Sequence, residues 1–126
     1  LFSDILFPLE ALGMDLSYNP GPEFGLHLDE ENAASLLTNS NPINFMDFQG
    51  EAIERTLERL PSEKSLIGFV GGPWTLIAYA CKVDKDLRNI ALNNFQLGLL
   101  DNVILPLLKE NVKLQLDAGA EIVMIR

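Results

Sequence analysis

The sequence predicts an α/β fold, because short apolar segments alternate with longer segments of helical periodicity. The predicted strands of the main sheet are Leu1–Leu6, Ser65–Val70 and Ala120–Arg126. Strands separated by helices pair in parallel through right-handed crossovers. Ser65–Val70 carries no charge, which is typical of a strand covered on both faces. The 126 residues suffice for one domain, which we take as residues 1–126.

The remaining elements follow from apolar spacing and from residues that begin or end helices. We predict a short strand at Asp15–Tyr18 and helices over Leu9–Gly13, Glu30–Leu37, Met46–Leu60, Pro73–Cys81, Asp86–Asn93 and Phe95–Ala118. Asp29 is expected to cap the second helix, and Pro73 suits the first turn of the fourth. Pro106 should kink the last helix, because its nitrogen carries no hydrogen, and Gly119 should end it.

The composition excludes several classes of function. The net charge is −9, and the nine lysines and arginines form no basic patch, so we expect no nucleic-acid partner. No apolar run is long enough to cross a membrane. Cys81 and His27 are the only residues of their types, so we expect no disulfide and no metal or other cofactor held by thiolate or imidazole. One cysteine also favours a reducing, cytoplasmic location.

Four features could carry chemistry, and each has a purely structural alternative. Asp4 is a carboxylate within an apolar segment, where burial would be costly without a partner, unless it faces water or caps a helix. Gly71 and Gly72 could admit a ligand to the N-terminus of the next helix or form a plain tight loop. Tyr79 could bind a ligand or be a core tyrosine. Arg126 could reach a ligand or solvent from the end of its strand.

Several stretches, in order along nearly the whole chain, resemble the uroporphyrinogen decarboxylase family. They are Leu1-Phe2-Ser3-Asp4-Ile5-Leu6, Ala11-Leu12-Gly13-Met14, Gly21-Pro22-Glu23-Phe24, Leu66-Ile67-Gly68-Phe69-Val70-Gly71-Gly72-Pro73-Trp74-Thr75-Leu76 with Tyr79, and Ala118-Gly119-Ala120-Glu121. The resemblance implies about the first third of a (β/α)8 barrel, with the site at the C-terminal ends of the strands. The chain would then lack the family's upstream arginines and its downstream serine and histidine, and we expect it to be inactive alone.

The resemblance also implies an activity and roles for particular residues. The activity is the cofactor-free removal of the four acetate carboxylates of uroporphyrinogen III, giving coproporphyrinogen III. Asp4 matches the family's central aspartate, which accepts hydrogen bonds from the pyrrole N–H groups, and Tyr79 matches its substrate-binding tyrosine. We expect Phe2, Gly71, Gly72 and Arg126 to line the pocket, and the full-length protein to be a homodimer.

Two departures from the family pattern leave other functions open. Arg126 stands where an aromatic phenylalanine is usual, and Lys82-Val83-Asp84 replaces a loop that is usually rich in glutamate and glycine. One alternative is a corrinoid-linked methyltransferase on the related barrel, which needs a zinc–thiolate site. The other is a non-catalytic module that binds a tetrapyrrole or a protein partner. A downstream His-x-Cys motif would favour the methyltransferase, and an upstream Arg-x-x-x-Arg with a downstream histidine would favour the decarboxylase.

Overall fold

A computed structural model of the chain describes residues 4–18, 21–83 and 91–126. Its helices are α1 (Phe7–Leu12), α2 (Ala33–Leu36), α3 (Pro42–Phe45), α4 (Asp47–Arg59), α5 (Pro73–Cys81), α6 (Asn94–Leu99) and α7 (Leu105–Ala118), with a π-helical segment at Leu100–Ile104 between the last two. Its strands are β1 (Leu16–Tyr18), β2 (Pro22–Phe24), β3 (Ile67–Val70) and β4 (Ile122–Ile125). Helices and strands alternate over the second half of the chain, as the sequence predicts.

The described strands form two separate two-stranded sheets. β3 and β4 pair in parallel, with Ile67 opposite Ile122 and Val70 opposite Ile125. β1 and β2 form an antiparallel hairpin instead. The parallel pairing of the two later strands is therefore confirmed, and so is the short strand near Tyr18. Among the described residues the parallel sheet has two strands rather than the three that we predicted.

The first predicted strand is wrong for the residues that the structure describes. Leu1, Phe2 and Ser3 lie outside the described residues, and Asp4–Leu6 leads through a turn into α1. Pro8 belongs to the first turn of this helix, where a missing N–H costs nothing, so the Phe7-Pro8 pair begins a helix instead of ending a strand. Gly13 ends the helix with φ +120°, as predicted from its position.

The predicted long helix near Pro106 is continuous but contains a π-helical segment. Pro106 lies in the first turn of α7, directly after Leu100–Ile104. The N–H of Leu105 donates to the carbonyl of Leu100, so the chain takes up one extra residue where the proline removes a normal helical bond. Gly119 ends α7 with φ +119°, which the sequence also predicted. A side chain there would additionally meet Leu57 on α4.

Two other helix predictions need correction. Asp29 does not directly precede its helix: its carboxylate accepts the N–H groups of Glu31 and Asn32, and the short α2 begins only after Asn32. The turn formed by these bonds takes the place of the first helical turn. The predicted helix Asp86–Asn93 lies outside the described residues up to residue 90. Asn93 is extended and caps α6 in a capping box with Gln96.

The helices cover one face of the parallel sheet. Gly68 and Val70 are buried, whereas Ile67 on the opposite face is 45% exposed, so the predicted coverage of both faces is wrong among the described residues. Gly68 lies against Gln115 of α7, and α7 also packs along α4. No helix of the described residues is long and apolar enough to cross a membrane.

A buried group of three polar side chains joins α4, α7 and β3. The Oε1 atom of Gln49 accepts the side-chain amides of Asn111 at 2.6 Å and Gln115 at 3.3 Å. The amide of Gln115 also donates to the backbone carbonyl of Phe69 at 3.1 Å. These bonds supply partners that burial would otherwise remove, and they fix the two helices against the strand that leads to Gly71.

Candidate active site

The C-terminal ends of both parallel strands meet the beginning of α5. The N–H of Arg126 donates to the carbonyl of Val70 at 2.9 Å. The carbonyl of Arg126 in turn accepts the N–H of Gly72 and, at 3.3 Å, the hydroxyl of Thr75. The helix N-terminus, which we considered as a ligand site, therefore receives the backbone carbonyl of the residue directly after β4. This is a favourable partner for the N–H groups and dipole at that end.

The two glycines after β3 allow close packing rather than an unusual backbone conformation. Gly13 and Gly119 are the glycines with positive φ in the described chain, so neither Gly71 nor Gly72 has a left-handed conformation. A Cβ atom on Gly71 would lie 2.9 Å from the carbonyl oxygen of Ile5, and one on Gly72 would lie 3.1 Å from that of Arg126. Gly71 thus lets the segment that carries Asp4 reach the end of β3.

The half-buried carboxylate of Asp4 has two described hydrogen-bond partners. Its Oδ1 atom accepts the N–H of Leu6 at 2.6 Å, which holds the turn before α1. Its Oδ2 atom accepts the phenolic hydroxyl of Tyr18 at the end of β1. Asp4 therefore lies before a turn and not in the strand that we predicted, and the turn and a tyrosine supply the hydrogen bonds that partial burial requires.

The Tyr18 hydroxyl is the donor in its bond to Asp4. Partial desolvation, and then the adjacent Asp4 carboxylate through its hydrogen bond and negative charge, raise the pKa of the Tyr18 phenol above its ordinary value. Glu10 adds a smaller effect in the same direction. The phenol therefore stays protonated at neutral pH and keeps a hydrogen available for the carboxylate.

Tyr79 lies two turns into α5 and lines a cleft beside the β1–β2 hairpin. The cleft has a volume of about 380 Å³ and is also lined by Phe24, His27 and Lys82. The side chain of Tyr79 is half-buried and packs against the hydrophobic core. His27 is half-buried, with its ring edge-on to that of Phe24.

The other predicted pocket residues make fewer contacts that indicate a site. Phe2 lies outside the described residues. The side chain of Arg126 is exposed at the end of β4, while its backbone makes the bonds to β3 and α5. Gly71 lines an apolar cavity of about 280 Å³ with residues of α7. Within the described ranges no three histidine, cysteine, aspartate or glutamate side chains are grouped to hold a metal ion.

Cys81 is not poised as a nucleophile. Burial, and secondarily the negative charge of Asp29, raise the pKa of its thiol to about 11. The thiol is then protonated at neutral pH, and the thiolate is the reactive form of cysteine.

Sequence reasoning missed Tyr18 as a partner of Asp4. The two residues are 14 positions apart, and Tyr18 is at the end of a three-residue strand. No spacing rule joins a turn before one helix to the end of a hairpin strand. The one available signal was a tyrosine directly before the segment Asn19-Pro20-Gly21-Pro22, and this position gives no indication of a contact with Asp4.

Comparison with known proteins places these features in a family. The sequence model of the family described as uroporphyrinogen decarboxylase matches residues 1–126. The chain is 34% identical over 133 residues to the uroporphyrinogen decarboxylase of Parasynechococcus marenigrum (strain WH8102) and, at the same identity and length, to that of Dechloromonas aromatica (strain RCB). It is 32% identical over 136 residues to that of Myxococcus xanthus (strain DK1622).

Each of these alignments covers 99% of this chain and 38% of the relative. The chain thus spans well under half the length of the relatives that it matches. The family match nevertheless extends over every residue, including the segment of Asp4 and the glycines after β3. The chain belongs to the uroporphyrinogen decarboxylase family.

Proposed function

We propose that this chain is part of a cofactor-independent decarboxylase that converts uroporphyrinogen III to coproporphyrinogen III. The observation that carries the proposal is the Asp4 carboxylate, half-buried and held by two hydrogen bonds beside the C-terminal end of β3. The similarity to proteins named uroporphyrinogen decarboxylase supports it. On this proposal the β3–β4 pair is a portion of a (β/α)8 barrel, whose active sites lie at that end of the strands.

The proposed reaction explains why a fixed carboxylate is useful. An acetate group on an electron-rich pyrrole loses carbon dioxide most readily after the ring is protonated, because the cationic ring then accepts the electrons of the broken bond. A carboxylate beside the ring nitrogens stabilises that positive charge, and its oxygens can accept hydrogen bonds from pyrrole N–H groups. Asp4 therefore has a role in binding the macrocycle and a role in the transition state.

A direct assay tests the proposal. The full-length protein, purified and incubated without oxygen, should convert uroporphyrinogen III to coproporphyrinogen III without added metal or organic cofactor. The 126-residue chain assayed alone should give no product, because its net charge of −9 disfavours a polyanionic substrate. A full-length protein that forms no coproporphyrinogen would contradict the proposal.

We also propose that this protein is a cytoplasmic homodimer.

Tyr79 is proposed to bind the substrate from its cleft. Tyr79→Phe in the full-length enzyme keeps the half-buried ring and removes only the hydroxyl, so kcat/KM should fall about tenfold while the Tm changes by less than about 2 °C. Steady-state kinetics and thermal unfolding of the same preparation check this. A lower Tm with intact activity would mean that Tyr79 serves only the core.

Arg126 is proposed to contact a carboxylate of the substrate with its exposed guanidinium. Arg126→Phe in the full-length enzyme should weaken substrate binding by about 1–3 kcal/mol, the usual range for a hydrogen bond to a charged group, with kcat little changed. Arg126→Lys should weaken substrate binding less than Arg126→Phe does, since lysine keeps the positive charge. An unchanged KM in both variants would place the Arg126 side chain outside the pocket.

A further inference from the structure

The hydrogen bond between Tyr18 and Asp4 joins two different structural elements. Asp4 belongs to the turn before α1, and Tyr18 ends β1 of the antiparallel hairpin. The hairpin is anchored because Phe24, opposite Leu16 in the register, is buried in the core. The backbone of Gly25 also donates to the carbonyl of Asp15 at 3.1 Å. The position of the Tyr18 hydroxyl is therefore set by an element that packs independently of Asp4.

The burial of Tyr18 does not explain this contact. Its side chain is 51% exposed, so the ring contributes little to the core, and a hydroxyl at this site could bond water instead. The phenol nevertheless donates to the one carboxylate that the proposed function places at the reacting ring. An exposed tyrosine aimed at that group indicates a role in the site rather than in packing.

The two donors to Asp4 act on different oxygens. The N–H of Leu6 occupies one lone pair of Oδ1, and the hydroxyl of Tyr18 occupies one lone pair of Oδ2. A carboxylate has about two lone pairs on each oxygen, so about one on each oxygen stays available for a ligand. With both oxygens bonded, rotation about the Cβ–Cγ bond of Asp4 would break at least one hydrogen bond. The carboxylate plane is therefore fixed before any substrate arrives.

We propose that Tyr18 is a positioning residue that holds the Asp4 carboxylate in the orientation in which it receives the pyrrole N–H groups of the substrate. This inference rests on the proposed function and adds to it a residue that acts through Asp4. A preorganised carboxylate needs no reorientation as positive charge develops on the ring, so the benefit appears in the transition state. The raised pKa of the Tyr18 phenol is consistent with this role, because the donor stays protonated.

The test compares four versions of the full-length enzyme: wild type, Tyr18→Phe, Asp4→Asn and the double variant. Tyr18→Phe should lower kcat about tenfold with KM within about twofold, the scale of one hydrogen bond to a charged group. In the Asp4→Asn background the same substitution should change kcat by less than about twofold, because the carboxylate that it positions is gone. A merely structural tyrosine would have the same effect in both backgrounds.

A spectroscopic measurement checks the contact itself. Ultraviolet absorbance reports the ionisation of tyrosine as the pH is raised. The difference between the titrations of wild type and Tyr18→Phe isolates the Tyr18 phenol, which should ionise at a higher pH than an ordinary tyrosine. In Asp4→Asn this step should move to lower pH, since the negative charge that opposes ionisation is removed. Ser17→Ala is the matched control, because it removes a hydroxyl from the adjacent, exposed position of β1. It should leave both kcat and the titration unchanged.

The outcomes separate this inference from the proposed function. If Asp4→Asn greatly slows turnover while Tyr18→Phe stays within about twofold of wild type, Tyr18 does not position Asp4 and only this inference fails. Equal losses from Tyr18→Phe in the two backgrounds would also overturn it. If Asp4→Asn itself keeps full turnover, the role proposed for Asp4 and this inference fail together, while the decarboxylase activity stands.

Discussion

Asp4→Asn in the full-length protein is expected to lower kcat by at least about 100-fold, the usual scale for removing one preorganised electrostatic group. The substitution is nearly isosteric but removes the negative charge. The new amide would also present N–H donors toward pyrrole N–H donors, which cannot bond each other. Steady-state formation of coproporphyrinogen by wild type and variant measures the effect.

The stability of the same variant distinguishes a catalytic from a structural carboxylate. Asp4→Asn keeps one carbonyl oxygen that can accept from Leu6 or from Tyr18, so we expect a loss of about 1 kcal/mol in the free energy of unfolding. Because both oxygens already have partners, we expect no gain in stability from removing the charge. Asp4→Glu, which keeps the charge one methylene further out, should have intermediate activity. A folded Asp4→Asn enzyme within about threefold of wild type would contradict the catalytic role proposed for Asp4.

Gln49→Leu is expected to destabilise the protein by about 3 kcal/mol, at the upper end of the cost of leaving buried polar groups without partners. Leucine has a similar volume but offers no acceptor to the amides of Asn111 and Gln115. Asn111 is 1% exposed, so water cannot replace the lost bond at the surface. Urea unfolding of the full-length protein measures the change.

A double variant tests the hydrogen bond between Gln49 and Asn111 by removing both of its partners. In Gln49→Leu/Asn111→Leu the donor of Asn111 is also removed, and Gln115 keeps its bond to the carbonyl of Phe69. The double variant should therefore be less destabilised than the sum of the two single variants, as expected when both partners of a buried bond become apolar. A loss under about 0.5 kcal/mol for Gln49→Leu alone would show that this group does not hold α4 and α7 against β3.

The alternation of helices and strands could be read from the sequence because local chemistry decides it. α4 and α5 match their predicted ranges closely, since amphipathic spacing and Pro73 act within one or two turns. The helix ends at Gly13 and Gly119 were also predictable, because both residues take a positive φ that other residues rarely adopt. The π-helical segment before Pro106 is the local response to a missing N–H. The proline predicts that the helix is distorted there, but it does not predict that the distortion is π-helical.

Contacts between distant residues were decided by the tertiary structure. The segment at Asp4 was predicted as a strand from its apolar residues, yet its described part is a turn fixed by a carboxylate and a proline. Gly71 was interpreted as a residue that admits a ligand or forms a tight loop, whereas the close approach of Ile5 is what requires the absence of a side chain. Local sequence patterns do not predict either contact.

The sequence alone determined the kind of protein and singled out Asp4, Tyr79 and the glycines after β3, because these residues stand in stretches that resemble one family. Only the tertiary structure decided the surroundings of those residues. Tyr18 reaches Asp4 because a hairpin anchored by Phe24 carries it there, and hydrogen bonds between side chains far apart in sequence leave no periodic signal. The physical reason is that composition and spacing encode burial and backbone geometry, while the partner of a polar group is set by how separately formed elements pack.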